Sequence, residues 1–307
     1  MKTKQKVAII SIIISIIVIS SITILNPQLI DRAFYRMGLQ EQICFPVINE
    51  EFQSDNVTNI VAAGDFGINE NSIKTLKNIQ SSNPEVILML GDLGQSTSKE
   101  WIELSEPMDR NKMYIALGDS DLLERNDYLR YSAITDDYYS FDYQNIHFLA
   151  ISTNEEKNNE LGILSDVIQT DFIKDDLSNA ADDPKTDWIV VFLHHPMYSS
   201  IPNLYSMDLR SLLQPTFDLY GVDLVINGHK HVYERTNPVT FSNIITDNEN
   251  CSYDDPNGQI YLTVGTGGHS HHKFKQKQSW SVVQNHNDYG FLNIKLLNDG
   301  KTLYGEF

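Results

Sequence analysis

Three aspartates, Asp65, Asp92 and Asp119, follow one another at equal intervals of 27 residues, each preceded by glycine and each closing a short apolar run. An interval of that size accommodates a strand, a helix and the return into the next strand, the repeating unit of an α/β sheet. In such a sheet the carboxyl ends of the strands share one edge, where ligands bind, so the spacing gathers three carboxylates at one crevice. A lone Gly-Asp is an ordinary turn or cap signal; three at matched positions restrict the architecture. The flanking segments agree. Runs at 56–63, 86–90 and 113–117 read as strands, and helices are predicted over 69–80 and around 99–105. In the first helix Asn69 or Asn71 is the cap, with Ile73, Leu76 and Ile79 on one side. Segments 138–143 and 146–151 flank Gln144-Asn145 as a hairpin. Segment 161–177 reads as a helix and 188–193 as a strand. Segment 206–220 reads as a helix bent at Pro215 and ended by Gly221. Strands at 222–226, 260–264 and 291–297 complete the pattern.

All nine histidines lie beyond residue 146, and three of them close further apolar runs: His194, His229 and His231, the last two in Gly228-His-Lys-His231. Residues i and i+2 of an extended segment share a side, so His229 and His231 are expected to face the crevice while Lys230 faces away. Three aspartates and three histidines form a mixed oxygen and nitrogen donor set, the kind that holds two divalent or trivalent ions with at least one carboxylate bridging them. The formal net charge of −18 argues against a nucleic-acid partner. An anionic substrate would need the positive charge of such ions.

Taken in order, Asp65-Phe-Gly67, Gly91-Asp92, Gly118-Asp-Ser-Asp121, Val191-Phe-Leu-His194 and Gly228-His-Lys-His231 resemble the five signature blocks of the calcineurin-like metallophosphoesterases. Within that superfamily, Gly91-Asp-Leu-Gly-Gln95, His194-His-Pro196, Gly228-His-Lys-His-Val-Tyr-Glu-Arg235 and Gly265-Thr-Gly-Gly268 are most similar to the purple acid phosphatase branch. The resemblance implies a four-layer α/β/β/α sandwich of two mixed sheets flanked by helices. It implies two metal ions per chain, iron, manganese or zinc. Asp65, Asp92 and His231 would hold one ion and Asp92, Asp119, His194 and His229 the other, with Asp92 as the bridge. The implied reaction is hydrolysis of small phosphate esters by in-line attack of a metal-bound hydroxide.

Four positions depart from the family pattern. The third block is normally Gly-Asn-His-Asp or Gly-Asn-His-Glu. Here Asp119 puts a carboxylate in place of a neutral amide ligand, and Ser120 stands where the family has a histidine that binds phosphate and protonates the leaving group. Gln95 stands where the purple enzymes carry a metal-binding tyrosine, so a colourless site is expected, and Gly67 stands where other branches have a histidine ligand. His195, Ser120 and Asp121 are the candidate catalytic residues, and His269, His271 and His272 follow a glycine loop expected to cover the crevice. These departures keep open a second class of function: a phosphate- or partner-binding pseudoenzyme that keeps the metals without efficient turnover.

Residues 7–25 form an uncharged run of 19 preceded by Lys2, Lys4 and Lys6. At 1.5 Å per residue such a helix spans roughly 30 Å of hydrocarbon. The run is longer than a signal-peptide core, and the lysines orient the N-terminus inward. The expected organisation is a basic tip and transmembrane signal anchor at 1–26, a juxtamembrane linker at 27–56 and a metallophosphoesterase domain at 57–307 outside the cytoplasmic membrane. Secretion after cleavage is the alternative. Setting aside the three lysines of residues 1–26 takes the charge from −18 to −21. In that compartment Cys44 and Cys251 could pair or remain two thiols, and Asn56-Val-Thr58 and Asn250-Cys-Ser252 have the form of glycosylation sequons.

Overall fold

The first strand, β1 (Thr58–Ala63), sends Ile60 and Ala62 into one apolar core and Val61 and Ala63 into another. A short continuous apolar run has this meaning in a parallel sheet, where both faces are covered. The computed structural model describes residues 57–307 apart from positions 96, 133, 135, 157–159, 242, 246–251 and 299. The span expected at 7–25, the linker, both cysteines, Asn56 and Asn250 lie outside the described residues. Among those described, no helix is long and apolar enough to cross a membrane.

After β1 come α1 (Glu70–Ser81), β2 (Val86–Met89), α2 (Ser98–Ser105), β3 (Met113–Ile115) and α3 (Arg125–Ser132). The hairpin β4 (Tyr139–Tyr143) and β5 (Ile146–Ile151) is followed by a two-residue ladder, β6 (Glu155–Glu156) with β7 (Glu160–Leu161). Then follow α4 (Val167–Asp182), β8 (Trp188–Leu193), α5 (Ser206–Tyr220), β9 (Leu224–Asn227) and β10 (Tyr233–Val239). The last strands are β11 (Gln259–Val264), β12 (Ser281–Asn285), β13 (Leu292–Leu297) and β14 (Thr302–Glu306). Two mixed sheets result, in the orders β14-β13-β1-β2-β3 and β12-β10-β11-β9-β8-β5-β4. Ile60, Leu88, Phe148, Phe192 and Leu262 fill the space between them. Leu76, Trp101 and Tyr128 of α1, α2 and α3 cover the outer face of the five-stranded sheet. Ile173, Leu177, Leu213 and Phe217 of α4 and α5 cover that of the seven-stranded sheet. The expected layering of helix, sheet, sheet and helix is therefore present.

Boundaries shift where a polar group finds a local partner. Asn69 caps α1 by accepting from the Asn71 and Ser72 backbone N–H groups, and Ser72 is buried because its hydroxyl donates to the Phe66 carbonyl. That turns Ile73, expected on the buried side, outward to 49% exposure. The helix expected over 161–177 begins at Val167, since Asp166 accepts from the Gln169 N–H and Gly162–Leu164 forms a separate 3₁₀ turn. Helix α5 contains Pro215 and ends at Gly221 in the left-handed region, as the sequence indicated. The two sheets are also tied at both edges. At one, the Gly300 carbonyl accepts from Asn145 Nδ2 (2.9 Å) and Trp188 Nε1 (2.7 Å). At the other, the Gly64 N–H donates to the Val264 carbonyl (3.1 Å) and the Gly267 N–H to that of Gly64 (2.8 Å).

One buried polar residue binds a sheet to its helical layer. His147 of β5 places Nδ1 2.7 Å from Asp142 of β4 and Nε2 2.9 Å from Asp176 of α4. Burial opposes a charged imidazole, but the two carboxylates outweigh it and hold the His147 pKa above its ordinary value. The pairing therefore stabilises the fold fully below the unfolded histidine pKa of about 6.5 and is lost as pH rises through the higher folded value. His147→Gln should lower stability to urea more at about pH 5.5 than at about pH 9. A difference independent of pH would mean that His147 contributes through packing alone.

Candidate metal centre

Five loops at the carboxyl ends of strands supply the polar side chains: Asp65 follows β1, Asp92 β2, Asp119 β3, His194 β8, and His229 and His231 β9. All three acids come from the five-stranded sheet and all three imidazoles from the seven-stranded one. Asp65, Asp92 and His229 sit in the left-handed backbone region, with φ of 58°, 52° and 65°. A residue with a side chain resists that conformation by roughly 1–2 kcal/mol, so its recurrence here marks loops constrained from outside. The constraint is visible as hydrogen bonds between the loops. The Asp65, Phe66 and Gly67 N–H groups donate to the carbonyls of Gly91, Asp92 and Leu93, and the His229 N–H donates to Asp65 Oδ2 (2.8 Å). Gly91 has φ of 82°, and a Cβ there would lie 2.4 Å from the Gly118 nitrogen and 2.7 Å from His194 Nδ1. Only glycine lets the loops after β2, β3 and β8 approach so closely.

Asp121 lies under this junction, fully buried. Its Oδ2 accepts from the Asp92 N–H (2.8 Å) and the Gly118 N–H (2.9 Å), and its Oδ1 from the Leu93 N–H (3.0 Å). Burial pushes its pKa up to about 7, with the Asp92 charge acting in the same direction and the Gly118 and Leu93 bonds opposing. Grouped with the catalytic candidates on sequence, Asp121 is placed as a clasp between two ligand loops. Ser120 is exposed, and both its backbone N–H and its hydroxyl donate to Asp92 Oδ1 at 2.9 Å.

The structure brings the six candidate ligands together. Ligand atoms of Asp65, Asp92 and His194 lie within 4.8 Å of one another, as do those of Asp119, His194 and His229, so His194 recurs in both groups. His231 Nε2 joins the first group through Asp65 Oδ1, 3.2 Å away. Two rings are oriented from behind: His194 Nδ1 donates to the Leu90 carbonyl and His231 Nδ1 to that of Ser270, which turns each Nε2 toward the acids. Asp65 Oδ1, Asp119 Oδ1 and His194 Nε2 are buried with no hydrogen-bond partner among the described residues. Buried polar atoms are nearly always satisfied, and three orphans on a nitrogen and oxygen donor set fit cations. The field agrees. Burial opposes charge on His194, yet Asp92, Asp65 and Asp119 push its pKa up to about 9. Burial likewise opposes charge on Asp92, but His194 and the Ser120 bonds keep its pKa below the usual carboxylate value.

The Gly228–His231 segment departs from expectation. It is not extended: the Lys230 N–H donates to the Gly228 carbonyl and the Val232 N–H to that of Lys230, so two tight turns deliver His229 and His231 to separate ends of the cluster. Lys230, expected to face away, is partly buried, which lowers its pKa while Asp65 and Asp119 work to raise it. The 269–272 histidines pack on His231. His272 stacks on its ring at 4.1 Å between centres, and His269 Nδ1 lies 3.1 Å from its Nδ1. His195 is fully buried, with Nε2 3.2 Å from Asp119 Oδ2 and Nδ1 3.2 Å from the Thr153 hydroxyl. Thr153 is a residue sequence reading missed. It follows the end of β5, the strand-end position occupied by the ligands, which was the available signal.

The profile of the calcineurin-like phosphoesterases matches residues 58–233, and that of the iron/zinc purple acid phosphatase-like protein C segment matches residues 258–307. Purple acid phosphatase 23 of Arabidopsis thaliana is 22% identical over 289 residues, covering 77% of this chain and 59% of that protein. Probable inactive purple acid phosphatase 1 of the same plant is 30% identical over 176 residues, covering 54% of this chain and 27% of that protein. The chain thus spans well under two thirds of the length of these relatives. The solved structure of purple acid phosphatase PPD1 from yellow lupin (Lupinus luteus) seeds has a TM-score of 0.65 at 23% identity, covering 80% of this chain and 50% of that one, a likeness of fold.

The contact at Gly91 yields a direct test. Gly91→Ala combines a positive φ with an overlap against Gly118 backbone, so it should cost more than about 1 kcal/mol of stability. It should also lower metal uptake. Urea unfolding of the metal-free variant separates the two effects, and wild-type stability there would contradict the proposed approach of the loops.

Proposed function

The chain belongs to the calcineurin-like phosphoesterase family and carries a purple acid phosphatase-like C-terminal segment, and on that premise we propose that it hydrolyses small phosphate esters at a centre of two metal ions. The observation that carries this reading is the meeting of six Asp and His side chains from five strand ends, with Asp65 Oδ1, Asp119 Oδ1 and His194 Nε2 buried and without a hydrogen-bond partner among the described residues. Asp65, Asp92 and His231 would hold one ion, and Asp119, His194 and His229 the other, with Asp92 shared. Iron, manganese and zinc all suit these donors. When bound, two such ions would lower the pKa of a water and neutralise charge on the phosphate oxygens.

The chain's own residues prepare the site for this. The Leu90 and Ser270 carbonyls hold His194 and His231 in the tautomer that presents Nε2. Ser120 fixes Asp92 Oδ1, and the Asp121 clasp keeps the Asp92 and Gly118 loops in register. Asp119 and His229, 30% and 20% exposed, stand with Ser120 on the open face where a phosphate ester would approach.

Ser120 also favours a second reading, the pseudoenzyme. Its hydroxyl is spent on Asp92, and no histidine stands at that position to protonate a leaving group, a contribution typically worth about 10²- to 10⁴-fold. A relative named as probably inactive supports the same reading. We further propose that residues 7–25 anchor the domain outside the cytoplasmic membrane. Protease added to intact cells should then degrade it, and full protection would exclude that placement.

Metal analysis of the purified chain, paired with hydrolysis of a nitrophenyl phosphate, separates the readings. Two metals with turnover are expected, and two metals without turnover would select the pseudoenzyme. Asp92→Asn should reduce both metal content and turnover, because it removes the shared carboxylate. Retention of two metals and full activity by this variant would refute the dinuclear arrangement.

A further inference from the structure

Asp119 collects more imidazole than a ligand needs. Its Oδ2 lies 3.4 Å from His229 Nδ1, 3.9 Å from His194 Nε2 and 3.2 Å from His195 Nε2. The first two histidines share a group of candidate ligand atoms with Asp119, and His195 stands outside it. His195 is also wholly buried, shut off from the open face where a leaving group would depart. Its ring is set from behind by Thr153. The Thr153 hydroxyl oxygen accepts the His195 backbone N–H at 3.1 Å, which leaves its own hydrogen for His195 Nδ1 at 3.2 Å. With Nδ1 accepting, a neutral imidazole carries its hydrogen on Nε2, on the side of Asp119. Edge-to-face contacts with His194 and Tyr205, at 5.1 and 5.5 Å between ring centres, hold the plane of the ring.

We propose that His195 is a positioning residue of the metal centre: its Nε2, in ion-pair contact with Asp119 Oδ2 at 3.2 Å, holds that carboxylate in the orientation that serves the ion. The physical need is plain. A carboxylate can turn about its own bond and offer either oxygen, so a partner held at Oδ2 fixes which oxygen faces the ion. Thr153, His195 and Asp119 then act as one relay of orientation, from the end of β5 through the loop after β8 to the loop after β3. This rests on the two-metal reading above.

A double-mutant cycle on the full chain, stripped of metal by chelation and titrated calorimetrically with Zn²⁺, tests it. His195→Leu should weaken one of the two zinc sites roughly 10- to 100-fold, the range for loss of such outer partners. His195→Gln, whose amide N–H falls near the same point, should recover most of that loss. In the Asp119→Asn background, where the ionic contact with His195 is already gone, His195→Leu should change zinc affinity by less than about threefold. Equal losses in both backgrounds, or no loss in either, would overturn the proposal and leave His195 as packing. If His195→Leu fails to fold, Thr153→Val is measured in the same cycle, since it keeps the imidazole and removes only the hydroxyl that sets its tautomer. Wild-type protein that binds no zinc, manganese or iron would overturn the two-metal reading itself, whereas two bound ions without coupling overturn this inference alone.

Discussion

The gathering of Asp65, Asp92 and Asp119 against His194, His229 and His231 is the constraint around which this edge of the molecule is organised. Three carboxylates converge on a largely buried crevice, where unscreened like charges are most costly. The fold answers with backbone. Asp121 spends both oxygens on three N–H groups of the neighbouring loops, and the β1 loop donates three more to the loop beyond β2. Left-handed conformations at Asp65, Asp92 and His229 are tolerated because these bonds over-determine them. The remaining negative charge raises the pKa of His194 and His231 despite their burial, the signature of a field that favours cations.

The six ligand candidates were legible in the sequence because strand ends are a local signal. An apolar run that ends on a metal-ligating residue, after glycine at Gly64, Gly91, Gly118 and Gly228 and directly at His194, can be read without knowing which strands are neighbours. The layer order came from the family resemblance, and a buried strand such as β8, apolar throughout, agrees with it. Legibility failed where a polar residue is satisfied at long range. Strand β10 contains Glu234, which is 1% exposed and reads as a loop residue; Ser200 donates to it through both backbone N–H and hydroxyl. Strands β12 and β14 were missed because they are half-exposed edges with little apolar pattern. Helix α3 has few apolar positions of its own and is held by Tyr128 against the edge of Trp101.

The altered third block is the clearest case of chemistry that sequence posed and geometry reframed. Read singly, Asp119 and Ser120 are two losses from a family pattern. In place, Ser120 is bonded to Asp92, and Asp119 has an additional buried imidazole at its Oδ2. The departures therefore have local partners, and Thr153 and His195 belong to the same constellation although they lie in different loops.

The segregation of acids to one sheet and imidazoles to the other gives the two edges of the sandwich different characters. Where the Gly300 carbonyl receives Asn145 and Trp188, the sheets are joined by neutral bonds that ignore the ionic medium. Where Asp65, Asp92 and Asp119 face His194, His229 and His231, any ion held between them is also a rivet through both sheets. Its binding free energy would count toward cohesion of the fold, since a ligand of the native state stabilises that state by mass action. The backbone bonds from Gly64 to Val264 and from Gly267 to Gly64 close that edge without any ion. An ion bound there would act as a second latch over a door already shut, so its loss would loosen the sandwich without opening it.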